Sequence, residues 1–478
     1  MLGTIDFSVQ LRALRRLVGS LPRAGLLALA ACIAMAGAAI AAALLIAPAP
    51  LSAQQGGASP EIRRTHMGVA SCAGSTCHGH SVADGTPVRQ DEVLRWQEES
   101  SPTGAHSRAY RVIREQRGQS IIRRMGLDDA GVRRECLGCH VAPGAAKLAD
   151  GVDCEGCHGT SGGWLSTHYT VGASHARNVS QGMTDLVNPR VRANVCLDCH
   201  LSGDGQGQFI AHRIMAAGHP RVSFELDLFS ALQAHHNEDA DYVQRKGGKT
   251  NSMRMWSVGQ AEAVKRSLTL FMQPALANEG LFPEFTFYDC HSCHRRIYDS
   301  DQAQVSALPN PGRPIPAGMP PYNDENMIML LAAAKVAAPD LAAQFDARSK
   351  AFHAAMTRGR SETVQAAGAL RQSADALSDR FAGTTFSRAQ TFAMMETIAS
   401  EAISARLTDY EGAVQSVMAV DTLLNGMVNQ GMVSTAAAAG LRAQINQAYA
   451  AVREPNGFQP VAFRRALGGA VSSIRSLR

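Results

Sequence analysis

Ten of the eleven cysteines in this 478-residue chain lie in five short pairs, and a histidine directly follows the second cysteine of each pair. Four pairs have the form Cys-x-x-Cys-His, whereas the first pair encloses four residues instead of two. Numbered as sites one to five along the chain, the groups are Cys72, Cys77 and His78; Cys136, Cys139 and His140; Cys154, Cys157 and His158; Cys196, Cys199 and His200; and Cys290, Cys293 and His294. Cys-x-x-Cys-His is the attachment sequence of haem c, in which the thiols bond the porphyrin and the histidine is an axial ligand of iron. The spacing predicts five covalently bound haem c groups.

Two alternatives bear on these motifs. Zinc sites also use Cys-x-x-Cys pairs, but they do not require a histidine after every second cysteine. At site one, the longer loop can reach both attachment positions of the porphyrin if it bulges outward. A disulfide between Cys72 and Cys77 in an oxidising compartment is the alternative there, and it would leave His78 without a role.

The face of each iron opposite the motif histidine decides between carrying electrons and binding a substrate, because two axial histidines leave no open position. Eleven further histidines are available for these five faces. Six lie close to a motif and are candidate distal ligands: His66, His106, His168, His175, His212 and His219. His235 and His236 are neighbours, of which one could ligate. The alternative for each is a hydrogen bond to a propionate or carbonyl around the haem.

Residues 1–53 have the pattern of an export segment. Four arginines precede an uncharged stretch of 24 residues, from Ala24 to Ala47, which is long enough to span a bilayer. The arginines would hold the amino end in the cytoplasm and send the rest outward. Both a cleaved signal peptide, cut after Ala53, and a retained membrane anchor fit this pattern. We therefore expect the protein in the periplasm, with Cys32 buried in the membrane segment.

Net charge argues against a nucleic-acid partner. The formal charge is +5, of which the export segment contributes +3 from four arginines and Asp6, leaving about +2 for the rest. Haem propionates would make the remainder more acidic still. A strongly basic surface is the usual sign of nucleic-acid binding, so other redox proteins are the expected partners.

The rest of the chain divides by composition. Residues 60–300 hold all five sites and 15 of the 16 histidines, and we predict short helices and loops packed around haems. A proline-rich linker is predicted over 301–323. Residues 324–478 repeat apolar residues at helical spacing, which predicts a bundle of four to six helices. Ser387 and Ser434 are the predicted N-caps and Gly431 a predicted helix stop. The fold class is therefore mostly α.

The motifs and their surroundings resemble a known family over roughly residues 66–225. Sites one to four, with Trp96 and His106 between the first two and the sequence GVDCEGCHG at site three, are similar to tetrahaem cytochromes that accept electrons from hydroxylamine oxidation. They also resemble the wider group of octahaem hydroxylamine oxidoreductases and pentahaem nitrite reductases. This resemblance implies closely stacked haems at His140 and His158 and distal ligands at His106 and His168. The Cys-x-x-Cys-Lys motif of the nitrite reductases is absent from the sequence.

The expected function is electron transfer in the periplasm by a pentahaem c-type cytochrome. Its expected partners are quinol-linked membrane proteins, soluble cytochromes or a periplasmic oxidoreductase. In the alternative, one haem has an open face and acts on a small nitrogen or sulfur compound, with a nearby arginine such as Arg177, Arg213 or Arg221 stabilising the anion.

Overall fold

The computed structural model describes residues 65–81, 90–221, 224–236, 243, 250–277, 282–294, 314–315, 319–402 and 410–478. The predicted export segment and most of the predicted linker lie outside the described residues. Within those residues the fold is helical, and the sole β pairing is an isolated bridge between Tyr288 and Tyr322. The mostly α fold class is confirmed. Residues Pro60–Arg478 form one compact unit.

The first part of the chain contains short helices. In chain order they are α1 (Glu92–Gln97), α2 (Ala109–Arg114), α3 (Gln116–Met125), α4 (Asp129–Glu135), α5 (Leu137–His140), α6 (Cys154–His158), α7 (Leu165–His168), α8 (His175–Ser180), α9 (Pro189–Leu197), α10 (His212–Ala216) and α11 (Leu226–Leu232). Few apolar side chains are buried here. Among described residues before 190 they are Val93, Trp96, Ile113, Val141, Ala142 and Trp164.

One long helix departs from the prediction of short helices before residue 300. Helix α12 (Ser252–Met272) runs for 21 residues and is followed by two short helices, α13 (Pro274–Ala277) and α14 (Cys290–Cys293). Asn251 caps its amino end by accepting a hydrogen bond from the amide of Arg254 at 2.8 Å. The helix is buried around most of its circumference, from Met253 to Phe271. The segment lies between sites four and five and was therefore predicted as part of the haem region, but it packs inside the helical bundle.

Seven helices form the carboxy-terminal bundle in the described part of 324–478, more than the four to six that the sequence predicted. They are α15 (Glu325–Ala337), α16 (Pro339–Ala355), α17 (Arg360–Ala382), α18 (Arg388–Ala402), α19 (Tyr410–Asn429), α20 (Thr435–Ala451) and α21 (Pro460–Leu477). The apolar spacing had singled out five segments and missed α17 and α21; the buried face of α17 consists largely of alanine, serine and threonine. Helix α12 lies against α15, α17 and α19.

The predicted helix boundaries in the bundle are confirmed. Ser434 accepts a hydrogen bond from the amide of Ala437 at 3.2 Å, and Ser387 accepts one from the amide of Gln390 at 3.2 Å. Gly431 has φ = 71° just past α19, where a left-handed residue ends a helix without a Cβ clash. His353, the single histidine of the bundle, is buried, and its Nδ1 donates to the carbonyl of Ser349.

A buried ionic network links the bundle to the haem region. Glu262 on α12 is 1% exposed, and its carboxylate accepts hydrogen bonds from Arg190 and Asn194 on α9 at 2.9 Å each. Lys265 contacts the same carboxylate at 3.0 Å, and Ser378 on α17 donates to it. Burial alone would raise the pKa of Glu262, but these hydrogen bonds outweigh it and hold the pKa below its usual range. No helix within the described residues has the length and hydropathy to cross a bilayer.

Candidate haem sites

Sites three and five share one local fold, a single helical turn that begins at the first cysteine. Asp153 and Asp289 precede these turns and act as N-caps, accepting hydrogen bonds from the amides of Glu155 at 3.0 Å and Ser292 at 2.7 Å. The Cys-x-x-Cys segment is therefore one turn of helix, which places both thiols on the same side of the backbone.

Site one has a longer loop, but the same hydrogen bond joins its histidine to its first cysteine. At sites two and five, the histidine amide donates to the carbonyl of the first cysteine, at 3.2 Å for His140 and 2.9 Å for His294. At site one the amide of His78 donates to the carbonyl of Cys72 at 3.1 Å, so the same hydrogen bond closes a loop that is two residues longer. The extra residues bulge outward, and Gly74, Ser75 and Thr76 are exposed. The backbone of site one therefore has the ends of an ordinary attachment motif.

Each motif histidine faces a second histidine from elsewhere in the chain. The ring-centre separations are 6.1 Å for His78 and His168, 6.3 Å for His140 and His219, 6.0 Å for His158 and His236, 6.0 Å for His200 and His106, and 6.0 Å for His294 and His212. Each partner is at least 78 positions away from its motif histidine in the sequence. The rings are too far apart to touch, yet their separations agree to within a few tenths of an ångström.

A metal ion between the two rings accounts for this common separation. Metal–nitrogen bonds of about 2 Å on both sides of an ion place the centres of two coordinating imidazoles about 6 Å apart. The residues present therefore fit five haem irons, each held between two imidazoles, with the cysteines placed for attachment.

At several of these rings, Nδ1 is hydrogen-bonded in a way that leaves Nε2 for a metal. His140 lies 2.6 Å from the carbonyl of Ala109, His219 lies 2.8 Å from that of Pro220, and His235 lies 2.7 Å from that of Gln233. A carbonyl only accepts, so Nδ1 carries the proton in each case and Nε2 keeps its lone pair. Metal-binding histidines are held by such contacts as a rule.

Burial keeps most of these imidazoles neutral, which is the form that binds metal. It lowers the pKa of His158 to about 3, assisted by the neighbouring His236 and His235, and it lowers the pKa of His200 to about 4. Burial likewise lowers the pKa of His106 and His140. His78 differs, because its hydrogen bond to Glu92 outweighs burial and raises its pKa.

Comparison with known families bears on the same residues. A family described as cytochrome c554 and c-prime matches residues 71–159, a stretch that begins one residue before Cys72 and contains sites one to three. The protein is a multihaem c-type cytochrome. Comparisons with curated proteins and with solved structures gave no match. Covalently bound haem c and a role in electron transfer follow from the family match, while the closer resemblance to hydroxylamine oxidoreductases and nitrite reductases stays a prediction.

The cytochrome brings its sites together in an order that differs from their order in sequence. The thiol of Cys72 lies close enough to that of Cys154 to change its pKa, so sites one and three are neighbours. The thiol of Cys139 lies 4.0 Å from the carbonyl of Asp198 and that of Cys199 lies 3.9 Å from the carbonyl of Gly138, which makes sites two and four neighbours. The stacked pair that the resemblance implies at sites two and three stays a prediction.

Site three of the cytochrome has two histidines opposite its motif histidine. His235 and His236 lie 6.4 Å and 6.0 Å from His158, and their own rings are 4.3 Å apart. Nδ1 of His236 lies 3.3 Å from Oε1 of Glu92, whose Oε2 lies 3.0 Å from Nδ1 of His78. The sequence indicated that one of this pair could ligate, but it gave no sign of Glu92.

Two of the six distal candidates have other surroundings in the cytochrome. His66 is buried between carboxylates, with Nε2 at 2.9 Å from Asp153 and Nδ1 at 3.4 Å from Glu155. His175 is half exposed, and its Nε2 lies 2.9 Å from Asp185. Neither ring faces a motif histidine within the described residues. The other four candidates, His106, His168, His212 and His219, each face one.

Of the two carboxylates around His66, that of Glu155 is tied to backbone amides. Glu155 accepts hydrogen bonds from the amides of Met67 at 2.9 Å, Gly68 at 2.6 Å and Ser161 at 2.5 Å. This contact joins the segment before site one to the helical turn of site three. Of the arginines considered for catalysis, Arg213 is paired with Glu135 at 2.7 Å, and Arg221 with Glu325 and Glu411 at 3.1 and 3.0 Å.

Proposed function

We propose that this chain is an exported pentahaem cytochrome that carries electrons between redox partners, with every haem iron held by two histidines. The supporting observation is the set of five histidine pairs about 6 Å apart. Haem iron with two protein ligands is suited to electron transfer, because no position is left for a substrate. The chain's part is to keep most of these imidazoles neutral and, at several of them, to bond Nδ1 so that Nε2 would be left for the iron.

The contacts between sites support an order for the electron path. Sites one and three meet at Cys72 and Cys154, and sites four and two meet at Cys199 and Cys139. Cys199 at site four helps burial to raise the pKa of Cys157 at site three, which connects the two pairs. We propose a path from site one through three and four to site two.

Site five extends this path beyond site two. His212 and His219 lie on one short segment that begins with α10 (His212–Ala216), and they face His294 of site five and His140 of site two. A single segment of backbone thus supports ligands of both sites. Site five and site one are then the two ends of the path, where partner redox proteins would exchange electrons.

The proposed location is the periplasm, in keeping with the arginines ahead of the apolar segment from Ala24 to Ala47. A retained anchor would keep the cytochrome near quinol-linked donors of the inner membrane, and a cleaved signal would leave it free to diffuse. Mass spectrometry of the mature amino terminus distinguishes these two forms.

Catalysis on a small nitrogen or sulfur compound would require an iron with one open face. The five histidine pairs favour the carrier over the enzyme. Electron paramagnetic resonance of the oxidised protein separates the two, since an open ferric haem is high-spin and an iron with two imidazoles is low-spin.

We expect five low-spin signals, with two different shapes. The paired imidazole planes are near parallel at sites one and five, at 18° and 29°, and near perpendicular at the other three, at 79° to 89°. The splitting of a low-spin signal depends on this angle, because parallel rings act on the same iron orbitals. Two rhombic and three strongly anisotropic signals would support the proposal, and a stoichiometric high-spin signal that responds to nitrite or hydroxylamine would overturn it.

The number of haems is tested at the unusual site. A variant carrying both Cys72→Ala and Cys77→Ala should lose one haem of five, measured as protein mass and as haem absorbance per chain. The same change at Cys290 and Cys293 is the matched control for an ordinary motif. A mass lower by only the two sulfur atoms in the first variant, with the loss of a haem in the second, would show that site one carries no haem.

A further inference from the structure

Glu92 makes contact with ligands of two different sites. It lies at the start of α1 (Glu92–Gln97), and its carboxylate is 17% exposed. One oxygen is 3.0 Å from Nδ1 of His78, the motif histidine of site one. The other oxygen is 3.3 Å from Nδ1 of His236, which faces His158 of site three. A single side chain thus joins histidines that are 158 positions apart in the sequence.

Within the described residues, these two imidazoles are the ionic partners of Glu92. A carboxylate oxygen can only accept, so the contacts require a proton on Nδ1 of both rings, and their Nε2 atoms are left for metal. A carboxylate bonded to a coordinating imidazole increases its basicity and stabilises the more oxidised state of the metal. Here one negative charge acts on two imidazoles at once.

The same contact distinguishes His236 from His235. Only one of them can occupy the face opposite His158. Nδ1 of His235 donates to a neutral backbone carbonyl, that of Gln233, at 2.7 Å. Nδ1 of His236 meets a charged acceptor that is itself fixed by His78, and charge-assisted hydrogen bonds are the stronger kind. His236 is also the nearer ring, at 6.0 Å against 6.4 Å.

We propose that Glu92 is a positioning residue shared by two haems, which fixes His236 as the distal ligand of site three and lowers the reduction potentials of sites one and three together. The inference rests on the proposed function, since it requires two haems with paired histidines. Sites one and three are neighbours through Cys72 and Cys154, so a shared carboxylate keeps two adjacent steps of the path at matched potentials.

The test is Glu92→Gln in the full haem-loaded protein, followed by a spectroelectrochemical titration. Glutamine keeps the size of the side chain but removes its charge, and its amide nitrogen cannot accept from a second imidazole. We expect about a tenfold shift toward the ferrous state at two haems, which is about 59 mV for a one-electron couple, and no shift at the other three. Asp91→Asn is the matched control, because Asp91 lies next to Glu92 but pairs with Arg95 at 3.1 Å.

A second pair of variants keeps the inference testable should Glu92→Gln fold poorly. His236→Ala should convert one low-spin iron to high-spin, while His235→Ala should leave all five low-spin. The reverse result, or unshifted potentials in Glu92→Gln, would overturn the inference while leaving the carrier function intact. A high-spin iron in the unmodified protein would instead count against the proposed function itself.

Discussion

Residues 65–236 and the bundle around α12 are both helical, but they bury their side chains in different ways. The bundle has a continuous apolar core that runs from Met253 to Ile474 and includes phenylalanines with no exposed surface. Up to residue 189, the earlier region has six buried apolar side chains among its described residues, and none of them belongs to a core cluster. Between 190 and 236 it has a small cluster, from Ala193 to Leu226, which packs with Met255 and Ala263 of α12. Its helices are four to ten residues long, too short to be stable without tertiary contacts. The difference indicates that the haems supply the core that the polypeptide lacks there.

Removal of haem should give the largest difference between the two regions. We expect the chain expressed without haem attachment to lose structure over residues 65–236 while the bundle stays helical, because only the bundle can bury its own apolar surface. Limited proteolysis with mass spectrometry, using the haem-loaded protein as control, should find early cuts in the first region and a resistant fragment containing α12 and α15 to α21. Equal resistance of both regions would contradict the interpretation.

A cavity in the bundle should give the next largest effect. Phe271 has no exposed surface, and its ring centre lies 5.4 to 5.8 Å from those of Phe282, Phe287, Tyr322 and Phe352. Phe271→Ala should lower the free energy of unfolding by about 3–5 kcal/mol, measured by denaturant titration followed by circular dichroism.

The control for this cavity is Val461→Ala. Val461 is 52% exposed, and a substitution at the surface changes the free energy of unfolding by no more than about 0.5 kcal/mol. The haem content of Phe271→Ala should equal that of the unmodified protein. A parallel loss of haem would mean that the two regions do not have separate cores.

The smallest of the three effects concerns the ionic network around Glu262, which links the bundle to the haem region. Glu262→Gln should lower the free energy of unfolding by about 2–3 kcal/mol at neutral pH, because it removes the charge from a buried acceptor of hydrogen bonds from Arg190 and Lys265. The pKa of Glu262 is depressed in the folded protein, so its contribution is present above the unfolded pKa of about 4.3 and is lost as pH falls through the folded pKa.

The stability difference between the Glu262→Gln variant and the unmodified protein should therefore shrink in acid. Asp379→Asn is the control, since Asp379 also contacts Arg190 but is 63% exposed. A difference that stays constant from pH 7 to pH 3 would mean that Glu262 acts through its shape alone.

The two regions also differ in what their sequences could predict. In the bundle, helical spacing and the caps at Ser387 and Ser434 are local signals, and the helices formed where those signals lie. The missed helix α17 (Arg360–Ala382) has small and polar residues on its buried face, so its periodicity is weak.

In the haem region the cysteines and motif histidines were evident, because attachment chemistry fixes their spacing. The distal partners were not, since His200 meets His106 across 94 positions and only the folded chain brings them together. Glu92 carried no signal at all, because a lone glutamate is ordinary in sequence and gains its importance from two tertiary contacts.

The loop of site one shows that an attachment segment can be two residues longer while its two ends keep the same hydrogen bond. The hydrogen bond from His78 to Cys72 fixes the ends, and the exposed residues between Gly74 and Thr76 make no contribution to it. This surface loop is thus a natural insertion point, where a peptide tag or an electrode-binding sequence could be placed between the two cysteines of site one. One end of the proposed electron path would then be connected to a conductor without altering any ligand.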